Sequence, residues 1–240
     1  MSFGPVIDTH KLPPTEKQKI TAWSFSRWQK WVTCPRSAYY AFVQRLPEPK
    51  SDAMQRGTDA HAEAASILTG EEIIPDILKP DWVGKLHAIR EDSGGDIEAE
   101  LQMAFTQKWE QTEWFGKAAW CRVILDGLVM RPEGADVVIH EHKTGKRRDS
   151  HYTQATLYAA AASVLAPDRE VRVQFNYLDE PAASGTKVEF FPIETAAKAK
   201  VAWTTRVEPM LNDTIYPTRT GPLCRWCHYR KSNGGPCEKG

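Results

Sequence analysis

Three side chains in two short runs have the types and spacing for hydrolytic chemistry. In VVIHEHKTGK, Val137 to Lys146, Glu141 and Lys143 stand two residues apart, and in CRVILDGLV, Cys121 to Val129, Asp126 is the acid. Both runs read as β-strands. A period of two places Val137, Ile139, Glu141 and Lys143 on one face of the second run and His140 and His142 on the other, while Ile124, Asp126 and Leu128 share a face of the first. The intervening RPEGAD, Arg131 to Asp136, has the Pro and Gly of a hairpin connection. If the strands pair, Asp126 comes close to Glu141 and Lys143, giving a small acidic site with one fixed positive charge. Carboxylates so placed suit a hard cation such as Mg²⁺ or Mn²⁺, which neutralises charge on a phosphodiester and lowers the pKa of bound water, and the lysine can position that water. The bland alternative is a surface salt bridge worth at most about 1 kcal/mol. A run as apolar as VVIH points to the sheet interior instead.

The elements around these strands follow from periodicity and caps. A helix is expected from Ser24, its N-cap, with Phe25, Trp28, Trp31 and Val32 as core residues. Cys34-Pro35-Arg36 interrupts it, and a second helix is expected from Ser37 to Arg45. The next spans Asp52 to Leu68, where Gly57 and His61 lie one turn apart on one face; the glycine permits close backbone approach, and a lone helical histidine is more often structural than a ligand. A short helix over Trp82 to Arg90 precedes a turn at SGGD, Ser93 to Asp96. IEAELQMAF then alternates: Ile97, Ala99, Leu101, Met103 and Phe105 face one way, and Glu98, Glu100 and Gln102 the other. Spacing leaves open whether Glu100 joins the acidic site or is merely solvated. After the hairpin come a helix from Ser150 to Leu165 carrying Gln154 and Tyr158 one turn apart, strands over Val171 to Leu178 and Lys187 to Ile193, and a helix over Glu194 to Leu211. This order fits an α/β chain with a mixed central sheet flanked by helices, a helical N-terminal part and a cysteine-rich C-terminal subdomain.

Composition narrows the setting. The 240 residues can bury a substantial core, and 31 basic against 31 acidic residues leave no net charge to announce a polyanionic partner. Basic residues do cluster locally, at Lys143, Lys146, Arg147 and Arg148, and at Arg219, Arg225, Arg230, Lys231 and Lys239. No apolar run reaches membrane-spanning length and the start lacks an apolar signal segment, so a soluble, cytoplasmic protein without membrane attachment is expected. Residues 1–20 read as a flexible arm, 21–215 as the main domain and 216–240 as a cysteine segment. KTGK is not a phosphate-binding loop, because the earlier glycine and the Gly-Lys-Ser/Thr order are both missing, so no helicase motor is expected.

Cys224 and Cys227 form CRWC, and Cys237 follows in NGGPC. In a cytoplasmic chain this favours metal or redox chemistry over a structural disulfide. A fourth ligand from His228 would complete a zinc site, and one from Cys34 an iron–sulfur site. Cys121 reads as a small buried hydrophobe.

Taken together, Asp126 in LDG, Glu141-His142-Lys143 in EHKTGK, Gly57 and His61 upstream and Gln154 and Tyr158 downstream resemble the PD-(D/E)XK nuclease superfamily, specifically its RecB-like and Cas4-like branch, from about Ser24 to Cys237. The resemblance implies a restriction-endonuclease-like core, with His61, Asp126 and Glu141 binding a divalent cation and Lys143 serving the attacking water. Gln154 and Tyr158 would support the catalytic site and its DNA, and Glu100 would match a further upstream acid. An imidazole ligand tilts preference toward Mn²⁺ over Mg²⁺. It also implies a [4Fe–4S] cluster on Cys34, Cys224, Cys227 and Cys237; the nine residues between Cys227 and Cys237 exceed the usual family gap and keep Zn²⁺ as the alternative. The function implied is a metal-dependent exonuclease acting on DNA, single-stranded or at free ends, in a prokaryote or phage-infected host, with recombination or CRISPR-type protein partners. The alternative is a non-cutting DNA-binding or metal-stapled interaction module.

Overall fold

The computed structural model describes residues 19–130 and 136–239, which divide between two compact units, 50–204 and the segments before and after it. Residues 1–18 of the expected arm and all but Asp136 of the expected RPEGAD turn lie outside the described residues.

The 50–204 unit is built on one six-stranded mixed sheet: β1 Glu98–Phe105, β2 Gln111–Thr112, β3 Cys121–Met130, β4 Asp136–Lys143, β5 Glu170–Tyr177 and β6 Thr186–Phe191, in the order β2-β1-β3-β4-β5-β6. β4 is parallel to β5, and the other neighbours are antiparallel. Parallel neighbours need a crossover, and α5, Ser150–Leu165, supplies it. With strands on both sides, β4 has Val137, Ile139, His140, Glu141 and His142 all buried, so the apolar VVIH run does lie in the sheet interior. α5 is apolar nearly all round, with Leu157 and Ala159 to Ala162 fully covered, as a helix laid deep against a sheet requires.

The other face of the sheet carries α3, Asp52–Thr69, and α4, Pro80–Asp92. Ser51 caps α3 by accepting from the Met54 N–H at 3.2 Å, and Gly70 ends it in the left-handed conformation at φ +83°. Ala60, Ala64, Ile67 and Leu68 of α3 pack with Trp82 and Leu86 of α4 and with Val129 of β3. The small residues of α3 bring its backbone near the sheet. At Gly57 an added Cβ would lie 3.2 Å from Thr144 Oγ1, just past the end of β4.

The second unit contains α1, Phe25–Thr33, α2, Pro35–Ala38, a π turn over Tyr39–Val43, and the tail from residue 205, entered along α6, Ile193–Leu211. Two expectations are corrected here. α1 starts at its Ser24 cap as expected but buries no residue, and Val32 is exposed. Its large rings are half-buried under cations instead: the Arg206 and Arg219 guanidiniums each lie 5.7 Å from the Trp28 and Trp31 ring centroids, and Trp31 Nε1 donates to Asp213 at 2.8 Å. The helix expected from Ser37 starts at Pro35, which suits a first helical position, and widens into the π turn where the adjacent Tyr39 and Tyr40 both turn inward against Tyr216 and Tyr229.

In the main unit, strict alternation along β1 fails at its end. Met103, Ala104 and Phe105 are all buried because both faces are covered there, and Leu101 is only half-buried. The two-residue β2 has no periodic signature. No helix among the described residues is long and apolar enough to cross a membrane.

Candidate active site

The β3–β4 register pairs Gly127 with His140, so Asp126 stands opposite Glu141 one step further on, where the strands part. Asp126 fills that opening. Its Oδ2 accepts from the His142 N–H at 2.6 Å, and its Oδ1 lies 3.3 Å from His61 Nδ1 on α3. Asp126 is 7% exposed, so this carboxylate is held by a backbone donor and an imidazole rather than by water. Burial opposes its ionisation, but His61 and the His142 N–H outweigh burial and keep its pKa below the ordinary value. Burial likewise opposes protonation of His61, and the hydrogen bond and charge of Asp126 overcome it, raising the His61 pKa.

Glu141 sits on the opposite face of β4, toward α5, and is nearly enclosed at 3% exposure. Its Oε1 accepts from Lys143 Nζ at 2.6 Å and from Gln154 Nε2 at 2.9 Å, and its Oε2 accepts from the Tyr158 hydroxyl at 2.7 Å. Lys143 Nζ also donates to Gln154 Oε1 at 2.8 Å, and Gln154 Nε2 to the Tyr158 oxygen at 2.5 Å. The surface value for a salt bridge does not apply to a pair this deep, where each partner is needed to compensate the other. Burial, and next the Asp126 charge, push the Glu141 pKa up to about 7. Two acids on facing strands compete for one ionised state, and a nearby cation would relieve them.

Glu100 is the strained member. It lies in β1 opposite Asp126, since Ala99 pairs with Gly127 and Leu101 with Leu125, and its φ is +51°, a conformation disfavoured for L-residues other than Gly, Asn and Asp. This bend brings its carboxylate into a group with His61 and Asp126 whose ligand atoms all lie within 4.8 Å of one another. Burial and the Asp126 charge raise its pKa. Of the residues expected from sequence, the structure thus draws His61, Asp126 and Glu100 into one donor cluster, and Glu141, Lys143, Gln154 and Tyr158 into an adjoining hydrogen-bonded network. Glu141 is not a member of the three-atom cluster. Two oxygens and one imidazole nitrogen make a donor set that fits Mg²⁺ or Mn²⁺.

Sequence reasoning placed His142 on the right face but gave it no part. It is fully buried beneath His61, the rings 6.0 Å apart and edge to face, and Asn176 Nδ2 lies 3.3 Å from its Nδ1. Burial lowers its pKa to about 4, so the ring packed edge-on against His61 is neutral at pH 7, and its Nε2 is buried with no hydrogen-bond partner among the described residues. The two-residue period that put His142 on the face away from Glu141 was the available signal.

The four cysteines Cys34, Cys224, Cys227 and Cys237 all belong to the unit formed by the chain ends, and all are free, partly buried thiols. Cys34 separates α1 from α2, while Cys224 lies within a 3₁₀ turn that Cys227 ends, and the Cys237 N–H donates to the Tyr229 carbonyl at 2.7 Å. The Cys227 thiol, its pKa raised chiefly by burial, is also in electrostatic reach of Cys34 and Cys237. Among the described residues, the three-donor cluster of His61, Glu100 and Asp126 is the one drawn within 4.8 Å, and no three cysteines come that close. Cys121 is fully buried on β3.

A family described as the PD-(D/E)XK nuclease superfamily matches residues 22–232. The chain belongs to that superfamily, whose nucleases use divalent metals. No curated protein matches it. Among solved structures, SSO0001 is similar over 88% of this chain and 84% of its own, at 13% identity and a TM-score of 0.40. A protein of Eubacterium rectale, provisionally described as an exonuclease, is similar over 94% of this chain and 93% of its own, at 12% identity and a TM-score of 0.46.

Proposed function

We propose that the chain is a metal-dependent deoxyribonuclease of the RecB-like and Cas4-like branch, an exonuclease that hydrolyses phosphodiester bonds at DNA ends during recombination, repair, or CRISPR or phage DNA processing. The observation that carries this reading is the convergence of His61, Glu100 and Asp126 beside the Glu141–Lys143 pair. The three clustered residues would hold Mn²⁺ or Mg²⁺, with Glu141 available as a further carboxylate. When bound, the ion supplies Lewis-acid stabilisation of phosphate charge and an acidified water. Gln154 and Tyr158 fix the Glu141 carboxylate from α5, and Glu141 with Gln154 holds the Lys143 ammonium in place. Lys143, partly exposed, is the group positioned to orient the attacking water or to donate to a phosphate oxygen.

For the cysteines we propose a [4Fe–4S] cluster on Cys34, Cys224, Cys227 and Cys237, linking the two ends of the chain. Four free thiols in one unit supply the ligands. A tetrahedral zinc site, with Zn–S near 2.3 Å, would hold sulfurs roughly 3.8 Å apart.

The test compares end-labelled linear DNA with covalently closed circles in Mn²⁺ and in Mg²⁺, using the wild type, Glu141→Ala and Lys143→Ala. Release of labelled nucleotides from linear DNA only, abolished in both variants, is the expected result. Nicking of circles would replace the exonuclease reading with an endonuclease one, and the absence of any cleavage would leave a binding module. A brown protein with stoichiometric iron is expected on purification under nitrogen; a colourless one with stoichiometric zinc would overturn the cluster.

A further inference from the structure

The 3₁₀ turn Pro222–Trp226 presents its apolar side chains outward, with Leu223 64% and Trp226 71% exposed. Burial ordinarily repays the folding of such rings, and Trp226 gains little of it. Its ring meets a cation instead: the Arg225 guanidinium carbon lies 5.2 Å from the Trp226 ring centroid. Arg225 also lines a cavity of about 300 Å³ together with Arg230, Lys239 and Cys224. No carboxylate is among the described residues lining it, and the nearby Glu238 is engaged by Lys231 at 3.3 Å. Arg230 Nε is buried with no hydrogen-bond partner among the described residues. Three cations and an unmet donor around one hollow, in a chain of zero net charge, form a local anion site rather than a share of a general field.

We propose that this surface seats one nucleotide of a single-stranded nucleic acid, the phosphate among Arg225, Arg230 and Lys239 and the base stacked on Trp226. The choice of a nucleic acid rests on the nuclease reading, while the choice of a single strand rests on Trp226. A duplex hides its base faces and would use only the cations, whereas an unpaired base offers a flat π-face to an exposed indole. Arg225 joins the two halves, its charge directed to the phosphate and its plane to the ring.

The experiment measures binding of a fluorescent twelve-nucleotide single strand to the full-length protein by anisotropy in EDTA, which stops metal-dependent cleavage. Base stacking of the usual strength means that Trp226→Ala weakens binding at least about fivefold, whereas Trp226→Phe, which keeps a ring, stays close to wild type. Arg225→Gln is expected to reduce the dependence of log affinity on log salt by about 0.7, the loss of one phosphate contact on a single strand. A blunt duplex is expected to compete poorly. Equal affinity of Trp226→Ala and wild type, equal loss in Trp226→Ala and Trp226→Phe, or full competition by the duplex would each overturn the proposal. Mn²⁺-dependent hydrolysis of bis(p-nitrophenyl) phosphate, measured in parallel, separates the two readings. If all these proteins hydrolyse it alike while Trp226→Ala loses the strand, both readings stand. If none hydrolyses it and the strand still depends on Trp226, the nuclease reading fails and this surface remains.

Discussion

Replacing Glu100 with glycine is expected to make the protein more stable and a poorer binder of divalent cations, whereas alanine at the same position impairs only the second. Glu100 has a φ of +51°. A left-handed conformation costs an ordinary L-residue about 1–2 kcal/mol. Alanine keeps that strain, and glycine releases it but gives back about 0.5–1 kcal/mol of unfolded-chain entropy. The net difference, glycine over alanine, is about 0.5–1 kcal/mol, or roughly 1–4 °C in Tm for a chain of this size. Loss of the carboxylate also relieves its repulsion with Asp126, but it does so equally in both variants and cancels from the comparison. Both variants lose one of three clustered donors, so Mn²⁺ affinity should fall at least about tenfold, the lower end of what even an outer-sphere change costs. Thermal unfolding without metal and Mn²⁺ titration by calorimetry give the two numbers. An alanine variant more stable than the glycine variant, or wild-type Mn²⁺ affinity in either, would refute the argument that strain at Glu100 serves cation binding.

Two further predictions concern the scaffold. Burial opposes ionisation of Glu63, but the N–H groups of Asp76, Ile77 and Leu78 donate to its carboxylate and hold its pKa below 4.5. A depressed folded-state pKa gives stability that is present above the unfolded value and lost as pH falls through the folded one, so Glu63→Gln should be less stable than wild type at pH 7, by a margin that shrinks as the pH falls below the ordinary carboxylate range. Urea unfolding over a series of pH values from 7 downward checks this, and a gap that does not change with pH would contradict it. At Gly185 an added Cβ would lie 2.6 Å from Trp82 Cζ2 and 2.9 Å from the Pro181 carbonyl. Trp82 is fully buried and donates to the Glu180 carbonyl at 2.8 Å, so it cannot yield, and Gly185→Ala should cost about 1–3 kcal/mol. An unchanged denaturation midpoint would count against the packing described around Trp82.

The parts of the fold that were legible in the sequence are those where local pattern and burial agree. β4 shows as an apolar run because it lies between two strands with most of its residues buried, and the approach of Asp126 to the Glu141 strand follows from a period of two and a short connection. α3, expected over Asp52 to Leu68, forms over Asp52–Thr69. Features decided by tertiary contact were not legible. Glu100 could not be assigned because its side chain reaches His61 and Asp126 through one left-handed dihedral, and nothing in EAELQ signals that angle. The aromatic face of α1 looked like core, since spacing cannot distinguish a ring covered by other rings from one covered by Arg206 or Arg219. The Gln111–Thr112 edge strand is too short for any period, and the π turn at Tyr39 answers to tyrosines almost two hundred residues away in the tail.

The most direct test of the account is Asp126→Asn. Asparagine keeps the shape and an acceptor for the His142 N–H but removes the buried charge shared by His61 and the clustered donors. Single-turnover cleavage of end-labelled DNA in Mn²⁺ should fall at least about a hundredfold, the scale of losing one electrostatic element of a hydrolytic site, while cooperative unfolding is retained. Cleavage at the wild-type rate by a folded Asp126→Asn protein would contradict it.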